Sequence, residues 1–334
     1  MPYSKWTDRV YNPHVLQCTA PKVGFPFVRS LTDDFPTAAY RRRANEAKTV
    51  VHWGQRKLLM SEIEFLLIAD APSAVVVYAG AAPGTHVKVL STLFPSCLFV
   101  LVDPAPFTVE PSENIVLKRA MFTDELAVKL RKKYRGRIIL FVSDVRSCDP
   151  DVDGNDKAEA CVQSDMADQA RWHEAIGAFK SLLKFRLPYS GGQTLYLAGD
   201  VRLPVWGPVT TTECRLIVDA NADWLVYDHV KHEEQMFFFN TVARTSLFEH
   251  MVRAEGIDHC YDCASEIQIL KRYLRSIGHG KRGLNHKVAR LSEDISASLS
   301  VYRTLASPNP DPGVRNQVIR RNQWVDGKPA YRVA

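Results

Sequence analysis

A glycine-bearing turn behind an apolar run is the first segment whose residues could do chemistry. Residues 74–79 are continuously apolar and rich in valine, which predicts a strand buried on both faces of a parallel sheet. The turn at residues 80–86 follows directly, and a second apolar run ends about twenty residues further on at Asp103. Ligands of open α/β sheets bind at the edge where these strands end. The two segments together predict a nucleoside site in which Asp103 accepts hydrogen bonds from a ribose.

The glycine pattern of this turn argues against a dinucleotide cofactor. Ala82 stands where the dinucleotide-binding motif has its middle glycine, which lets the backbone approach a pyrophosphate. A cofactor with a nucleoside but no phosphates fits the turn better, and this favours S-adenosylmethionine. Tight strand–helix turns also use glycine for purely structural reasons, so the interpretation depends on Asp103 as well.

Strands alternate with helices along the chain, and these elements must position the residues above. Apolar residues recur at helical spacing over residues 37–70 and 124–133, and a long helix is predicted over residues 158–184. With the first strand, further strands make a set of about seven, and they are predicted at residues 97–103, 114–117, 137–144, 193–198, 213–218 and 235–239. This alternation predicts a Rossmann-like α/β fold with a mostly parallel seven-stranded sheet flanked by helices.

Composition divides the chain into three parts. Prolines and scattered aromatic residues without a regular period predict an irregular N-terminal arm over residues 1–36. The α/β domain is expected over residues 37–306. A basic tail over residues 307–334 turns polar and proline-rich, and we expect it to be loosely ordered.

The overall composition indicates a globular protein. Of 334 residues, 46% are hydrophobic and 24% charged, and no apolar run is long enough for a membrane span. The N-terminus lacks an apolar signal region, so we expect no secretion. Seven cysteines, spread from Cys18 to Cys263, predict reduced thiols rather than a disulfide framework. The expected compartment is the nucleus or the cytoplasm.

Positive charge is clustered along the chain. The formal net charge is +6, and basic residues gather at residues 41–43, 131–137 and 271–290. Solvated charged faces account for many such clusters in proteins. Several of them without an acidic counterpart favour a polyanionic partner such as a nucleic acid.

Five segments in one order carry a resemblance to a known family. They are residues 54–59, 76–86, 138–147, 181–189 and 212–216, the last of which is Thr212-Glu213-x-Arg215-Leu216. Residues 34–278 resemble the poxvirus-type cap-specific mRNA 2′-O-methyltransferases, a family with relatives in kinetoplastid protozoa. The resemblance implies an S-adenosylmethionine-dependent methyltransferase fold for the main domain and capped mRNA as its substrate. It also implies other mRNA-processing proteins as partners.

The resemblance implies a catalytic set of four residues, namely Lys57, Asp144, Lys184 and Glu213. A ribose hydroxyl must lose its proton near the transition state of methyl transfer, and Lys184 would accept that proton only when neutral. Lys57 and the positive sulfonium would lower the pKa of Lys184, whereas Asp144 would raise it. The sequence leaves the balance open. Each residue alone also fits an ordinary surface or turn role.

Binding residues are implied in the same way. The implied cofactor contacts are Gln55, Tyr78, Gly80, Pro83, Gly84, Asp103, Met121 and Asp144. The implied cap and RNA contacts are Phe35, Arg146, Arg186, Tyr189, Thr212 and Glu233. Tyr189 and Phe35 would stack on the cap guanine, with Tyr40 as an alternative to Phe35, and Glu233 would read the guanine edge.

The chain departs from the family pattern at two positions, and other functions stay open. Ala105 replaces an arginine, and Gly191 replaces an aspartate that reads the cap. No metal site is expected, although His259, Cys260 and Cys263 lie close together in sequence. One alternative function is a ribosomal or transfer RNA ribose methyltransferase without a cap pocket. Another is an RNA-binding processivity subunit beside a poly(A) polymerase.

Overall fold

The structure, a computed structural model, describes residues 25–41, 54–148, 153–189, 191–208, 210–244, 246–254, 257, 259–306, 324–325 and 328–329. The helices are α1 Gly54–Ala69, α2 Thr85–Leu93, α3 Asp124–Lys133, α4 Asn155–Ile176, α5 His229–Phe238, α6 Tyr261–Ser276 and α7 Leu284–Ala306, and a π-helix, Phe239–Ala243, follows α5. The strands are β1 Val75–Ala79, β2 Leu98–Val102, β3 Ile115–Lys118, β4 Ile139–Ser143, β5 Lys180–Phe185, β6 Gln193–Leu197, β7 Asp200–Arg202, β8 Cys214–Asp219, β9 Trp224–Asp228, β10 Trp324–Val325 and β11 Lys328–Pro329.

Seven strands form one sheet in the order β3-β2-β1-β4-β5-β8-β7. The first five are parallel, and β8 runs antiparallel to both of its neighbours. The order reverses next to β1, so the carboxyl ends of β1 and β4 border the crevice where such sheets bind ligands. The predicted Rossmann-like class with a mostly parallel seven-stranded sheet is confirmed.

Helices cover both faces of the sheet because its central strands are apolar throughout. Along β1, Val76 and Tyr78 join the hydrophobic core that contains residues of α1, α2, α6 and α7. Val75, Val77 and Ala79 join the opposite core, with residues of α3, α4 and α5. This alternation follows from the two-residue period of a strand. It places α1 on the same face as every second side chain of the central strands.

The long helix predicted over residues 158–184 is confirmed as far as Ile176 and wrong over residues 177–184. Helix α4 ends at Ile176, because Gly177 adopts a left-handed conformation and donates its N–H to Glu174. The chain then enters β5, which lies between β4 and β8 and is almost wholly buried. Apolar residues in such a buried strand carry no alternation that would have distinguished it from a helix. Lys184 therefore lies on a strand.

Two of the predicted strands do not belong to the main sheet. Residues 193–197 form β6, which pairs only with β9 in a separate two-stranded ribbon. Residues 235–239, predicted as a strand, lie in α5 and the π-helix. Asp228 begins α5 by accepting a hydrogen bond from the backbone N–H of Lys231, and this cap precedes the apolar run. The strands β5 and β7 complete the sheet instead.

The described part of the N-terminal arm is irregular but tightly attached. The backbone N–H of Leu31 donates to Val201, and that of Leu203 donates to Arg29, so the arm follows β7. The buried Arg29 also pairs with Glu64 of α1 at 2.8 Å. The predicted helix over residues 37–70 begins at Gly54 in the described chain, because residues 37–41 are not helical and residues 42–53 lie outside the described ranges. The boundary at residue 36 stays a prediction.

One pair of cysteines contradicts the prediction that the thiols are reduced. The structure joins Cys148 and Cys161 in a disulfide, because the chain returns through the start of α4 and brings their Cα atoms to 6.0 Å. Cys97, Cys214, Cys260 and Cys263 are buried. Within the described ranges, no helix is long and apolar enough to cross a membrane.

Candidate active site

The carboxyl ends of the central strands bring together the four residues of the implied catalytic set. Asp144 directly follows β4, Lys184 is the fifth residue of β5, and Glu213 directly precedes β8. Lys184 stands opposite Arg215 in the antiparallel pair of β5 and β8, so both side chains leave the same face of the sheet. Helix α1 packs on that face and contributes Lys57 from its first turn.

Short ion pairs link these groups. Lys184 Nζ lies 3.1 Å from Asp144 Oδ1 and 3.6 Å from Glu213 Oε2. Lys57 Nζ donates to Glu213 Oε1 at 2.8 Å. Arg215 Nη2 donates to Asp144 Oδ1 at 2.7 Å, so three cations surround two carboxylates. When Lys184 is neutral, the two remaining cations balance the two carboxylates, and the arrangement can hold a hydroxyl group near a buried amine.

Burial determines the direction of the pKa of Lys184. Removal from water disfavours the ammonium form and lowers the pKa, and Arg215 acts in the same direction. Asp144 and Glu213 oppose this shift, yet the pKa of Lys184 remains below its usual value. A lysine with a lowered pKa is neutral more often at moderate pH, which is the form that can accept a proton.

The two carboxyl groups are stabilised as anions. Burial alone would raise the pKa of Asp144, but Lys184 and Arg215 outweigh it and lower the pKa to about 2. Burial likewise opposes ionisation of Glu213, and Lys57 and Lys184 still hold its pKa well below the usual range. Both side chains therefore act as fixed negative charges beside Lys184.

A buried glutamine holds the backbone of Lys184. Strand β4 pairs with β5 only as far as Ser143 and Leu183, so the next peptide groups of β5 need other partners on that side. Gln169 of α4 supplies them. Its Oε1 accepts from the N–H of Lys184 at 3.0 Å, and its Nε2 donates to the carbonyl of Lys184 at 3.2 Å.

The turn behind β1 forms the neighbouring part of the site. Gly80 has a φ of +75°, and a Cβ there would lie 3.0 Å from the backbone of Asp144 and Val145. The glycine is thus required by the close approach of this turn to the end of β4, in addition to any ligand. Pro83 is exposed, and its carbonyl accepts from the N–H of Thr108 at 2.9 Å. Gly84 also has a positive φ, +74°, and precedes α2.

Asp103 directly follows β2, as predicted, and two nearby backbone N–H groups hold its carboxylate in place. Oδ2 accepts from the N–H of Ala82 at 3.0 Å, and Oδ1 accepts from the N–H of Ala105 at 2.8 Å. A carboxylate has about four acceptor sites, so both oxygens keep capacity for the hydroxyl groups of a ribose. Met121 lies nearby, because the N–H of the preceding Ala120 donates to the carbonyl of Asp103. The Met121 side chain is exposed.

The remaining two implied cofactor contacts, Gln55 and Tyr78, differ in how deeply their side chains are buried. Gln55 is half-buried at the start of α1; its Oε1 accepts from Thr85 Oγ1 and lies 2.8 Å from His86 Nδ1. Tyr78 is only 1% exposed, and its hydroxyl lies beside the buried Glu62. Burial and Glu62 raise the pKa of Tyr78 well above its usual value. The Tyr78 hydroxyl is therefore turned into the protein.

The implied cap-binding residues are partly brought together. Tyr189 is 49% exposed, and the guanidinium carbon of Arg186 lies 4.2 Å from its ring centroid. Thr212 Oγ1 donates to the Tyr189 hydroxyl at 3.3 Å. Arg186 is held by an ion pair with Glu159. Because Arg186 covers one face of the ring, only the other face is free to stack on a base.

The second aromatic position favours Tyr40 over Phe35. Phe35 is 5% exposed and packs edge-on against Phe25 and Phe238 at 5.5 and 5.9 Å, so its ring has no free face. Tyr40 is 56% exposed and packs against Phe237 at 5.6 Å. Glu233 lies one turn before Phe237 on α5, which places it on the face that Tyr40 contacts.

Arg146 adds unsatisfied positive charge to the site. Both of its terminal guanidinium nitrogens are buried without a hydrogen-bond partner among the described residues. Its Nη1 lies 3.6 Å from Asp165 Oδ2, which is an ion-pair distance rather than a hydrogen bond. Buried donors of this kind normally find partners, so an acceptor such as a phosphate oxygen fits here.

Two residues of the site were not assigned from the sequence. Arg215 lies two residues after Glu213, at the start of β8, so both side chains leave the same face of the strand. This spacing would have indicated that both point into the site. Gln169 carries no comparable signal, because its role depends on where β4 stops pairing. Within the described ranges, no three His, Cys, Asp or Glu side chains converge as metal ligands. Cys260 instead begins α6 by accepting from the N–H of Cys263.

Curated relatives of the chain include cap-specific methyltransferases of two poxviruses. The chain is 27% identical over 221 residues to the cap-specific mRNA (nucleoside-2′-O-)-methyltransferase of Fowlpox virus (strain NVSL), which covers 58% of this chain and 68% of that protein. The enzyme of the same description from Myxoma virus (strain Lausanne) is 28% identical over 243 residues, covering 64% of this chain and 69% of that protein. The resemblance to poxvirus-type cap-specific methyltransferases is thereby confirmed.

A solved structure and a family model complete the comparison. The structure of bluetongue virus VP4, described as a multifunctional RNA-capping production line, aligns with a TM-score of 0.45 and 13% identity. The alignment covers 70% of this chain but only 37% of that structure, so the chain spans little more than a third of its length. The family model described as "Poly A polymerase regulatory subunit" matches residues 25–301. The chain therefore belongs to the poly A polymerase regulatory subunit family.

Proposed function

We propose that this chain transfers a methyl group from S-adenosylmethionine to a ribose 2′-hydroxyl near the 5′ end of capped mRNA. The observation that carries the proposal is the convergence of Lys57, Asp144, Lys184 and Glu213 at the carboxyl ends of β4 and β5. The names of the poxvirus relatives support the same reaction. A methyl acceptor of this kind must be held in line with the donor and lose its proton, and the cluster offers groups for both tasks.

Lys184 is the proposed general base. Burial keeps its pKa below the usual lysine value, and its Nζ faces the space between Asp144 and Glu213. Asp144 orients the amine, while Glu213 and Lys57 hold one another at 2.8 Å beside it. Arg215 ties Asp144 in place at 2.7 Å. These fixed charges reduce the reorganisation needed when the hydroxyl gives up its proton.

The residues at the ends of β1 and β2 fit S-adenosylmethionine. Asp103 would accept hydrogen bonds from the ribose, and Gln55, Gly80, Gly84 and Met121 would surround the rest of the cofactor. The turn at residues 80–86 carries no lysine or arginine, and the backbone N–H of His86, in the first turn of α2, already donates to Gln55. A pyrophosphate at a helix N-terminus uses free N–H groups of this kind. When bound, the cofactor supplies a methyl group on a positively charged sulfur.

Capped RNA is the proposed substrate. The free face of Tyr189, with Tyr40 as the second ring, would stack on a cationic methylated guanine, and Glu233 would accept from its edge. Burial raises the pKa of Glu233, and Glu234 adds to this effect. Arg146 and Arg186 would contact phosphates. The family description also supports a role beside a poly(A) polymerase, as an addition to the methyl transfer.

One observation favours a second candidate. Burial of Phe35 removes one of the two aromatic residues that the sequence suggested for the cap clamp. A ribosomal or transfer RNA ribose methyltransferase would use the same four catalytic residues without such a clamp. The two candidates differ in their dependence on the cap.

Labelled S-adenosylmethionine and matched RNAs test the proposal. The RNAs share one sequence and carry a 7-methylguanosine cap, an unmethylated guanosine cap or a 5′ triphosphate. We expect label on an early ribose of the methylated-cap RNA, and mapping of that label identifies the nucleotide. Tyr189→Ala should raise KM for this RNA and leave the weak reaction of the triphosphate RNA unchanged. Equal labelling of all three RNAs would favour the second candidate, and no labelling of any RNA would contradict both.

A further inference from the structure

The carboxamide of Gln55 serves as a side-chain cap for α2. Gly84, at the N-cap position of α2, has no side chain that could satisfy the first N–H groups of the helix. Gln55 Oε1 takes that place. It accepts from Thr85 Oγ1 at 2.5 Å and from the backbone N–H of His86 at 3.4 Å, and it lies 2.8 Å from His86 Nδ1.

These contacts decide which way the amide faces. The backbone N–H of His86 requires an acceptor, so the atom turned toward α2 is the oxygen of Gln55 and not its nitrogen. His86 Nδ1, 2.8 Å from that oxygen, must then carry a hydrogen. The Nε2 group of Gln55, with two N–H donors, points away from His86, beside the turn at residues 80–86.

His86 is in turn fixed from behind by a buried acid. His86 Nε2 lies 3.0 Å from Glu62 Oε1, and both side chains are almost fully buried. Because Nδ1 must carry a hydrogen for Gln55, the Nε2···Oε1 contact holds a second proton on one side or the other. The second oxygen of Glu62 has no hydrogen-bond partner in the described chain.

Such a pair is costly for stability alone. Buried ionisable groups lose hydration, and apolar residues of similar size are often equally stable or more stable in their place. The pair joins α1 to α2 on the side of the sheet where Leu59, Ile63 and Val76 belong to the hydrophobic core. Its most direct effect on the site is to fix the ring that holds Gln55.

We propose that His86, oriented by Glu62, is a positioning residue that directs the Gln55 amide to the carboxylate of S-adenosylmethionine. This inference rests on the proposed function, because it presupposes that cofactor. Asp103 is an acceptor and suits the ribose, whereas Gln55 Nε2 is a donor and needs an acceptor. The carboxylate is the anionic acceptor of the cofactor, and hydrogen bonds to charged groups are stronger than those between neutral groups.

Calorimetry on the full chain tests the proposal without relying on turnover. Two ligands are compared, S-adenosylmethionine and its decarboxylated analogue, which lacks only the carboxylate. His86→Leu removes the donor to Gln55, while His86→Asn places an amide N–H close to the position of Nδ1. Gln55→Ala and the double variant Gln55→Ala/His86→Leu complete a thermodynamic cycle. Thermal melting of each variant checks that it is folded.

We expect His86→Leu to weaken S-adenosylmethionine binding about tenfold or more, the range for a lost hydrogen bond to a charged group. His86→Asn should recover most of the affinity. In the Gln55→Ala background, His86→Leu should have no further effect, and the decarboxylated analogue should bind all variants equally. A general structural defect would instead weaken both ligands and would persist without Gln55.

The same measurements distinguish a failure of the positioning role from a failure of the proposed function. If the wild-type chain binds S-adenosylmethionine and His86→Leu binds it equally well, the positioning role is wrong and the proposed function stands. If the variant weakens both ligands alike, the positioning role is also wrong. If the folded wild-type chain does not bind S-adenosylmethionine, the proposed function fails and this inference fails with it.

Discussion

At the scale of single residues, the charges around Lys184 determine whether it can act as a base. The sequence placed an acid and cations beside this lysine without deciding which effect is larger. In the folded chain, burial adds a further contribution that lowers its pKa, and Arg215 adds to it from the adjacent strand. Asp144 and Glu213 act in the opposite direction. Removing a neighbour should therefore shift the pKa of Lys184 in a direction set by that neighbour's charge.

The first prediction concerns the pH dependence of transfer. Glu213→Gln removes a charge that raises the pKa of Lys184, so the midpoint of the rate profile should move to lower pH. Arg215→Gln removes a charge that lowers it, so the midpoint should move to higher pH. Single-turnover transfer at saturating RNA, measured across pH, gives both midpoints. Lys180→Gln is the control, since Lys180 lies at the other end of β5 and pairs with Asp219. Shifts of the same sign in both variants would contradict this account.

The second prediction concerns Lys184 itself. Lys184→Arg keeps a positive charge beside Asp144 but replaces the amine with a group that stays protonated. Transfer should fall by about 10²- to 10⁴-fold, the usual loss when a general base is removed. Binding of S-adenosylmethionine and capped RNA should remain close to wild type in calorimetry. Transfer at a rate near that of the wild type would show that Lys184 acts as a fixed cation.

At the scale of elements, the site depends on where each strand ends. Strand β4 stops pairing at Ser143, which leaves Asp144 free to turn toward Lys184 and leaves the Lys184 peptide to Gln169. The turn behind β1 passes so close to this point that only a glycine fits at position 80. The geometry of the acid and the lysine is therefore a property of three neighbouring strand ends.

The third prediction uses two glycines with similar backbone conformations. Gly80 and Gly136 both have positive φ, and an alanine at either position costs about 1–2 kcal/mol of strain. Only at Gly80 would the new Cβ also press on the backbone of Asp144, since nothing lies within 4 Å at Gly136. Gly136→Ala should therefore lower Tm by a few degrees and keep full transfer.

Gly80→Ala should lower Tm further and reduce transfer, because the displaced backbone carries Asp144. At this chain length, each kcal/mol corresponds to about 1–2 °C in Tm. Thermal melting and initial rates of both variants provide the test. Equal losses of activity in the two variants would show that backbone strain alone is responsible.

At the scale of the whole molecule, buried ion pairs attach the peripheral segments to the helices on one face. Arg29 connects the arm to α1, Arg56 connects α1 to Glu266 of α6, and Arg244 connects the end of the π-helix to Asp262. Arg244 also donates to the carbonyl of Gly207, in the loop that leads to Glu213. The catalytic face is thus framed by internally balanced charges. Arg146, by contrast, has unsatisfied guanidinium nitrogens at the site.

The fourth prediction concerns the salt dependence of RNA binding. For single-stranded RNA, the logarithm of the affinity should fall with that of the salt concentration by about 0.7 for each phosphate contacted. Arg146→Gln should make this slope shallower by about one contact, because its free guanidinium nitrogens lie at the site. Arg137→Gln should leave it unchanged, since Arg137 lies before β4 at the opposite end of the sheet and donates to Ser73. Fluorescence anisotropy with one capped RNA at several salt concentrations measures the slopes. Equal slopes for the wild type and Arg146→Gln would remove Arg146 from the RNA surface.

The sequence by itself determined the fold class and the order of the site residues along the chain. Apolar runs that end in Asp103 and Asp144 mark strands of a parallel sheet, because fully buried strands need apolar side chains on both faces. Carboxyl ends of such strands lie together, so the acids were expected at one edge. Lys57, Lys184 and Glu213 entered through the resemblance of their segments, since their spacing alone gives no reason for them to meet.

Only the tertiary structure decided which side chains face the site. Apolar content alone does not distinguish β5 from a continuation of α4, or the end of α5 from a strand, because neither segment shows a clear period. The contacts of the arm with α5 cover Phe35 and leave Tyr40 exposed. The lowered pKa of Lys184 and the roles of Arg215 and Gln169 arise from strand pairing between residues far apart in sequence. Burial and long-range pairing depend on the packed chain, and no local pattern records them.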